Sequence, residues 1–153
     1  MDFPNSSPNV PLPKPDLDLI KKTAELLAKS RRPLILAGGG AWWSGSENEL
    51  SRLVDSTEVP FYTTPMSRGL LPDDHKYSFP GARSTAFREC DLVIDNDSSP
   101  VHIAAAFEVP RIVLFSQSIR EIFCPYPENN QHYVFYNDVN CRECELARCE
   151  DRI

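Results

Sequence analysis

The chain has 153 residues and a net charge of −6, with 41% hydrophobic and 25% charged residues. One domain with its own core is expected at this length. The acidic balance excludes a phosphate-backbone binder, which needs a basic face, and no apolar run reaches the roughly 18 residues that span a bilayer.

The opening "MDFPNSSPNVPLPKPD" has neither the basic nor the apolar region of a secretory signal, so a cytoplasmic location is expected. Its five prolines over residues 1–16 describe an extended leader. Asp16 or Asp18 is placed to cap a helix over residues 17–30, with Leu17, Ile20, Ala24 and Leu27 on one face. "RPLILAGGG" then reads as a strand buried on both faces and closed by glycines. "SENELSRLVDST" is helical with Ser46 as its cap, "VPFYTTP" is a strand, and "SRGLLPDDHKYSFPG" is a loop punctuated by Gly69 and Pro72.

A short helix "ARSTAFREC" and a strand "DLVIDN" come next. They are followed by a helix "PVHIAAAFE", a strand "PRIVLFSQ", a short helix or turn "SIREIFCPYP" and a last strand "HYVFYND". Strands alternating with helices predict an α/β class: one layered domain with a mostly parallel sheet and right-handed crossovers. Five strands are expected, six if a short one forms near residues 77–80. The expected organisation is a leader at 1–16, the domain at 17–137 and a Cys-rich tail at 138–153.

Three stretches carry residue types suited to a site. Glycines at Gly38, Gly39 and Gly40 allow a backbone to approach a phosphate or flavin. They do not fit the GxGxxG spacing, because Trp43 stands where the third glycine belongs, which argues against a dinucleotide. A tight strand-to-helix turn also explains them. In "DNDSSPVH", Ser99 as N-cap and Pro100 at the first helical position leave amides near Val101 and His102 pointing past the strand end. Asp97 and His102 are placed to add hydrogen bonds to a ribose or phosphate; plain capping by Ser99 is the competing reading.

The third stretch is Cys141-x2-Cys144-x4-Cys149, a metal-knuckle spacing whose fourth ligand is not obvious, with Cys124 or His132 as candidates. An odd count of five cysteines, Cys90 being the other, favours reduced thiols over a disulfide framework. "PDDH" at 72–75 reads as a loop tied by its own hydrogen bonds. Trp42 and Trp43 read either as a stacking wall for a ligand or as packing beside the glycine turn. No Ser/His/Asp or Cys/His catalytic spacing is present.

Two resemblances follow from particular blocks. "AELLAKSRRPLILAGGGAWWSG", "VPFYTTPMSRGLLPDDH" and "GARSTAFRECDLVI" make residues 15–94 resemble the middle domain of thiamine-diphosphate-dependent enzymes. The oxalyl-CoA decarboxylase, 2-hydroxyacyl-CoA lyase and acetolactate synthase group is the one concerned. "CDLVIDNDSSPVHIAAAFEVPRIVLF" and "FCPYPENNQHYVFYNDVNCRECELARC" make residues 91–153 similar to the donor-binding domain of family 9 glycosyltransferases, the heptosyltransferase group. Both families use a three-layer Rossmann-like domain and share a strand close to "ADLVI", where the two resemblances meet; matched topology implies the sheet order 3-2-1-4-5-6.

The glycosyltransferase resemblance implies that Asp97, Ser98, Ser99, Pro100 and His102 lie against a donor diphosphate, with Ser99 replacing the family's glycine. The thiamine-enzyme resemblance implies that Gly38, Gly39, Gly40 and Arg83 lie nearest an ADP, flavin or CoA nucleotide. In those enzymes the thiamine cofactor is held by other domains, one carrying a GDG-type motif that does not occur here. The expectation is a non-catalytic, chimera-like Rossmann domain with weak affinity for an ADP-like nucleotide and no required cofactor. The alternatives are the donor-binding part of a nucleotide-sugar glycosyltransferase and a middle-domain fragment of a thiamine-dependent lyase. Oligomeric state is open.

Overall fold

The structure is a computed structural model, and it describes residues 16–96, 99–115, 124, 126 and 132–135. Helix α1 (Leu17–Lys29) starts where the sequence places it, because the Asp16 carboxylate accepts the amides of Asp18 at 2.9 Å and Leu19 at 3.1 Å. Of its expected apolar stripe, Leu27 packs on the core, while Leu17, Ile20 and Ala24 stay exposed. The short helix α2 (Gly39–Trp43) follows strand β1 (Pro33–Ala37), and α3 (Glu47–Thr57) leads into β2 (Phe61–Thr63). Ser46 holds the N-cap position of α3, but its hydroxyl donates to the Ala41 carbonyl at 3.0 Å and caps no amide.

Beyond two 3₁₀ turns at Pro65–Ser67 and Pro80–Ala82 come α4 (Arg83–Glu89) and β3 (Leu92–Asn96). Then follow α5 (Ser99–Ala106), β4 (Arg111–Leu114) and β5 (His132–Phe135). Helix α5 begins at Ser99 itself, one residue earlier than expected, and Pro100 sits within its first turn, where its fixed φ and missing amide are harmless. "SIREIFCPYP" lies outside the described residues except for Cys124 and Tyr126.

All pairings are parallel, in the order β2-β1-β3-β4-β5. Ser78 adds one isolated parallel bridge to Phe61. The short strand expected near 77–80 is thus a single bridge beside β2, and the order 3-2-1-4-5-6 holds with its third member reduced to one residue. Alternate residues of a strand face opposite layers. Ile35 and Phe61 pack with Val54, Leu50 and Leu27 under α1 and α3. Leu34, Leu36 and Val93 pack with Phe87 and Ala104 under α4 and α5. Those are the three layers. No helix among the described residues is long and apolar enough to cross a membrane.

Asp91 ties the turn after α1 to the start of β3. Its carboxylate accepts the Ser30 hydroxyl and the amides of Arg31 at 2.9 Å and Arg32 at 3.0 Å. Burial pushes this carboxyl up, but those hydrogen bonds outweigh it and hold it below the usual carboxylate range. A lowered folded value means the stabilisation is full above the unfolded value near 3.9 and fades as pH falls through the folded one. Asp91→Ala is expected to cost about 1–2 kcal/mol at pH 7 in urea unfolding. The gap between the two proteins should close in acid; an equal gap at pH 7 and pH 2 would show that the carboxylate charge is not the cause.

Candidate functional site

The carboxyl ends of parallel strands are where open α/β sheets bind ligands, and the glycine turn lies at that edge. Gly38 donates its amide to Asn96 Oδ1 at 2.9 Å, linking the ends of β1 and β3. A Cβ at Gly38 would stand 2.6 Å from that oxygen, so the close approach requires glycine. Gly39 and Gly40 open α2, with space for a Cβ only at 3.4 Å from Met66 Cβ and from Asn96 Nδ2 respectively. The Ser67 hydroxyl donates to the Ala37 carbonyl and accepts the Thr64 amide at 3.0 Å, which anchors the Pro65–Ser67 turn beside β1.

Exposure bears on the two sequence readings of the tryptophans. Trp43 is 79% exposed and Trp42 44%, with Met66 also exposed, so the pair forms an apolar ledge at the edge and is not core packing. Asn96, which sequence reasoning passed over, is the residue that organises the turn; a polar residue closing an apolar strand was the available signal.

The remaining residues singled out from sequence divide between this edge and elsewhere. Ser99 is exposed at the start of α5, the helix that follows β3 and packs on β3 and β4. His102 is exposed too, but its Nδ1 lies 2.9 Å from the Tyr126 hydroxyl, turned toward β4 and β5. Arg83 begins α4, with its guanidinium 6.0 Å from the Phe87 ring centre. It also acts on buried Tyr62, whose phenol burial pushes up and Arg83 draws down, with the upward effect the larger. Asp97, Ser98 and the thiols Cys141, Cys144 and Cys149 lie outside the described residues.

His75 of "PDDH" accepts the Tyr77 amide on Nδ1 at 3.2 Å and sets Nε2 3.5 Å from Asp55 of α3. The loop is therefore tied down by its own histidine, as the sequence suggests. Among the described residues no three His, Cys, Asp or Glu side chains gather as a metal site.

Two further features lie away from this edge. A groove of about 800 Å³ runs along the amino edge, among α1, α3 and α4, lined by Leu27, Leu53, Val59, Ala86 and Cys90. Burial pushes the Cys90 thiol up, which makes it a poor nucleophile. Beneath α5, buried Arg111 and His132 pair in register at the starts of β4 and β5. Cys124 Sγ lies 3.4 Å from His132 Nε2, and the Arg111 guanidinium is 4.8 Å from the Tyr126 ring centre. A histidine and an arginine heading otherwise apolar strands were the sequence signal.

Comparison with known proteins gives two matches along this one sheet. Residues 20–95 match the family model "Thiamine pyrophosphate enzyme, central domain", and residues 82–151 match "Glycosyltransferase family 9 (heptosyltransferase)". The chain is 44% identical over 80 residues to 2-hydroxyacyl-CoA lyase 1 of Dictyostelium discoideum, covering 52% of this chain and 14% of that protein. It is 48% identical over 75 residues to the 2-hydroxyacyl-CoA lyase of Arabidopsis thaliana, covering 49% and 13%. Against the oxalyl-CoA decarboxylase of Escherichia coli it is 37% identical over 91 residues, covering 59% and 15%. The chain thus spans a small part of the curated relatives it matches. It is similar to the thiamine pyrophosphate enzyme central domain in its first half and to family 9 glycosyltransferases in its second, and the two likenesses overlap at residues 82–95, which contain β3 up to Asp95.

Proposed function

We propose that this chain is a recombined Rossmann-like domain, the first half of a thiamine-enzyme central domain joined through β3 to the second half of a family 9 glycosyltransferase domain. In this reading it binds an ADP-like nucleotide weakly at the carboxyl edge and performs no turnover. The observation that carries it is the double pairing of β3. Ile94 is in register with Ile35 of β1 on one side and with Ile112 of β4 on the other, so one shared strand joins the two halves of a single sheet.

Support for a binding role comes from the exposed ledge of Trp42, Trp43 and Met66 beside the glycine turn, a surface suited to stacking a flat base. Gly38 to Gly40 and Ser99 would face the phosphates, with Asp97, Ser98, His102 and Arg83 as further candidates. The polar groups described at this edge argue against catalysis. The Gly38 amide is engaged by Asn96 and the Ser67 hydroxyl by Ala37, leaving no nucleophile–base pair among the described residues there.

The test is a melting curve in the presence of ADP, a UDP-sugar, FAD or CoA. ADP at ten times its dissociation constant is expected to raise the melting temperature by about 3 °C through mass action. Trp43→Ala should weaken that binding by about tenfold while leaving the unliganded melting temperature near its starting value, since an exposed ring stabilises little. No shift with any of the four at 10 mM would remove the nucleotide reading.

A further inference from the structure

We propose that this chain self-associates through α1, two copies packing their first helices antiparallel about a twofold axis near Ala24. Three observations carry this, all of them on α1 and the amino edge, away from the glycine turn.

The first is an uncovered helix face. No residue of α1 is buried. Leu19, Thr23, Leu26 and Leu27 are half-buried against the domain, while Leu17, Ile20, Ala24 and Ala28 are exposed. Leu17 is 68% exposed and Ile20 42%. Steps of three, four and four residues put the exposed four in one row, the spacing by which helices pair.

The second is shape. The row is bulky at its amino end, with Leu17 and Ile20, and small at its carboxyl end, with Ala24 and Ala28. Beside the small end lies the groove of about 800 Å³, which Ala24 and Ala28 line together with Leu27, Leu53 and Val59. In an antiparallel pair crossing at Ala24, Ile20 of one copy faces Ala28 of the other, and Leu17 faces the stretch at Arg31. Each copy sets its large side chains toward the hollow of the other, and alanine at the crossing lets the helices approach closely. A twofold interface requires just such a patch, complementary to itself.

The third is charge. A net charge of −6 opposes association of identical chains unless opposite charges meet locally. Helix α1 opens with Asp16 as its cap and Asp18 in its first turn, and it closes on Lys29 with Arg31 and Arg32 just beyond. All five are exposed, and none makes an ion pair with another described residue. The antiparallel crossing brings the acidic end of each copy against the basic end of the other. A parallel pairing would set like charges together.

A helix of 13 residues is about 20 Å long, so the contact belongs with weak interfaces under about 1,200 Å². A dissociation constant in the micromolar range is expected.

The experiment is sedimentation equilibrium of the full chain with reductant present, from about 1 µM to about 200 µM. The mean mass should rise with concentration from one chain toward two, where a closed pair stops. Ile20→Asp should hold it at one chain throughout. Ile103→Asp on α5, at a residue with the same 42% exposure, should leave association unchanged. Circular dichroism and a melting curve at low concentration accompany each variant, and these exposed positions are expected to leave the fold intact. Asp18→Lys and Arg31→Glu should each weaken association at least tenfold. Combined in one chain they should restore it, because each contact is then reversed. A mass of one chain at the highest concentration, or one that passes two chains, overturns the proposal. So does a dimer that survives in folded Ile20→Asp, an equal loss in Ile103→Asp, or no recovery in the charge-swapped chain.

Discussion

Leu36→Ala is expected to destabilise the chain by about 2–5 kcal/mol, a large fraction of the total stability of a domain this size. Leu36 is 3% exposed, on β1 next to its last residue. It belongs to one cluster with Leu34, Tyr62, Phe87, Val93, Ala104 and Val109. Leu34, Leu36 and Tyr62 fall in the stretch matched only by the thiamine-enzyme model, and Ala104 and Val109 in the stretch matched only by the glycosyltransferase model. The cavity left by truncation would therefore lie between the two stretches. Tryptophan fluorescence reports the first half, since both tryptophans lie there, and far-ultraviolet circular dichroism reports the whole chain. In urea the two signals should move together to a lower midpoint. Separate midpoints for the two probes, with only the first shifted, would mean that the halves unfold independently and share no working core.

Gly38→Ala is expected to cost about 1–3 kcal/mol, with most of the effect residing in one neighbour. The added methyl would meet Asn96 Oδ1 at 2.6 Å and Nδ2 at 2.7 Å, closer than real Cβ contacts come. Asn96 must swing away, which breaks its bond to the Gly38 amide and leaves that amide in a buried turn without it. A double-mutant cycle isolates the cause. In an Asn96→Ala background the same glycine substitution should cost less than half as much, because the clash and the bond are already gone. Equal costs in both backgrounds would shift the explanation to backbone strain. The pair also joins the two likenesses, since Asn96 is the first residue beyond the thiamine-enzyme match and Gly38 lies well inside it.

The layered α/β class and the Asp16 cap were readable directly from the chain, and the strand order followed from the two resemblances. Runs such as "PLILA" are apolar on both faces, and that pattern follows from burial between two helix layers whatever the details of the fold. The two likenesses were equally legible, because "TTPMSRGLLPDDH" and "NDSSPVHIAAA" are local blocks that need no partner to be recognised. Helix amphipathicity was less secure. Leu17 and Ile20 have the spacing of a core stripe and remain exposed, since position on the sheet, and not periodicity, determines whether a stripe finds something to cover it.

What the linear chain could not supply was every contact made across the sheet. Gly38 and Asn96 lie 58 residues apart, and no local rule predicts that an asparagine at the end of β3 engages the turn after β1. The same holds for Asp91 closing the Ser30–Arg32 turn, and for Arg111, Tyr126, Cys124 and His132 gathering under α5. Parallel strands pair residues distant in sequence, so their register brings such side chains together only once the crossovers have closed. The types of residue able to bind a ligand or a metal were written in the chain; which of them meet, and which are already engaged by a neighbour, depended on the packed sheet.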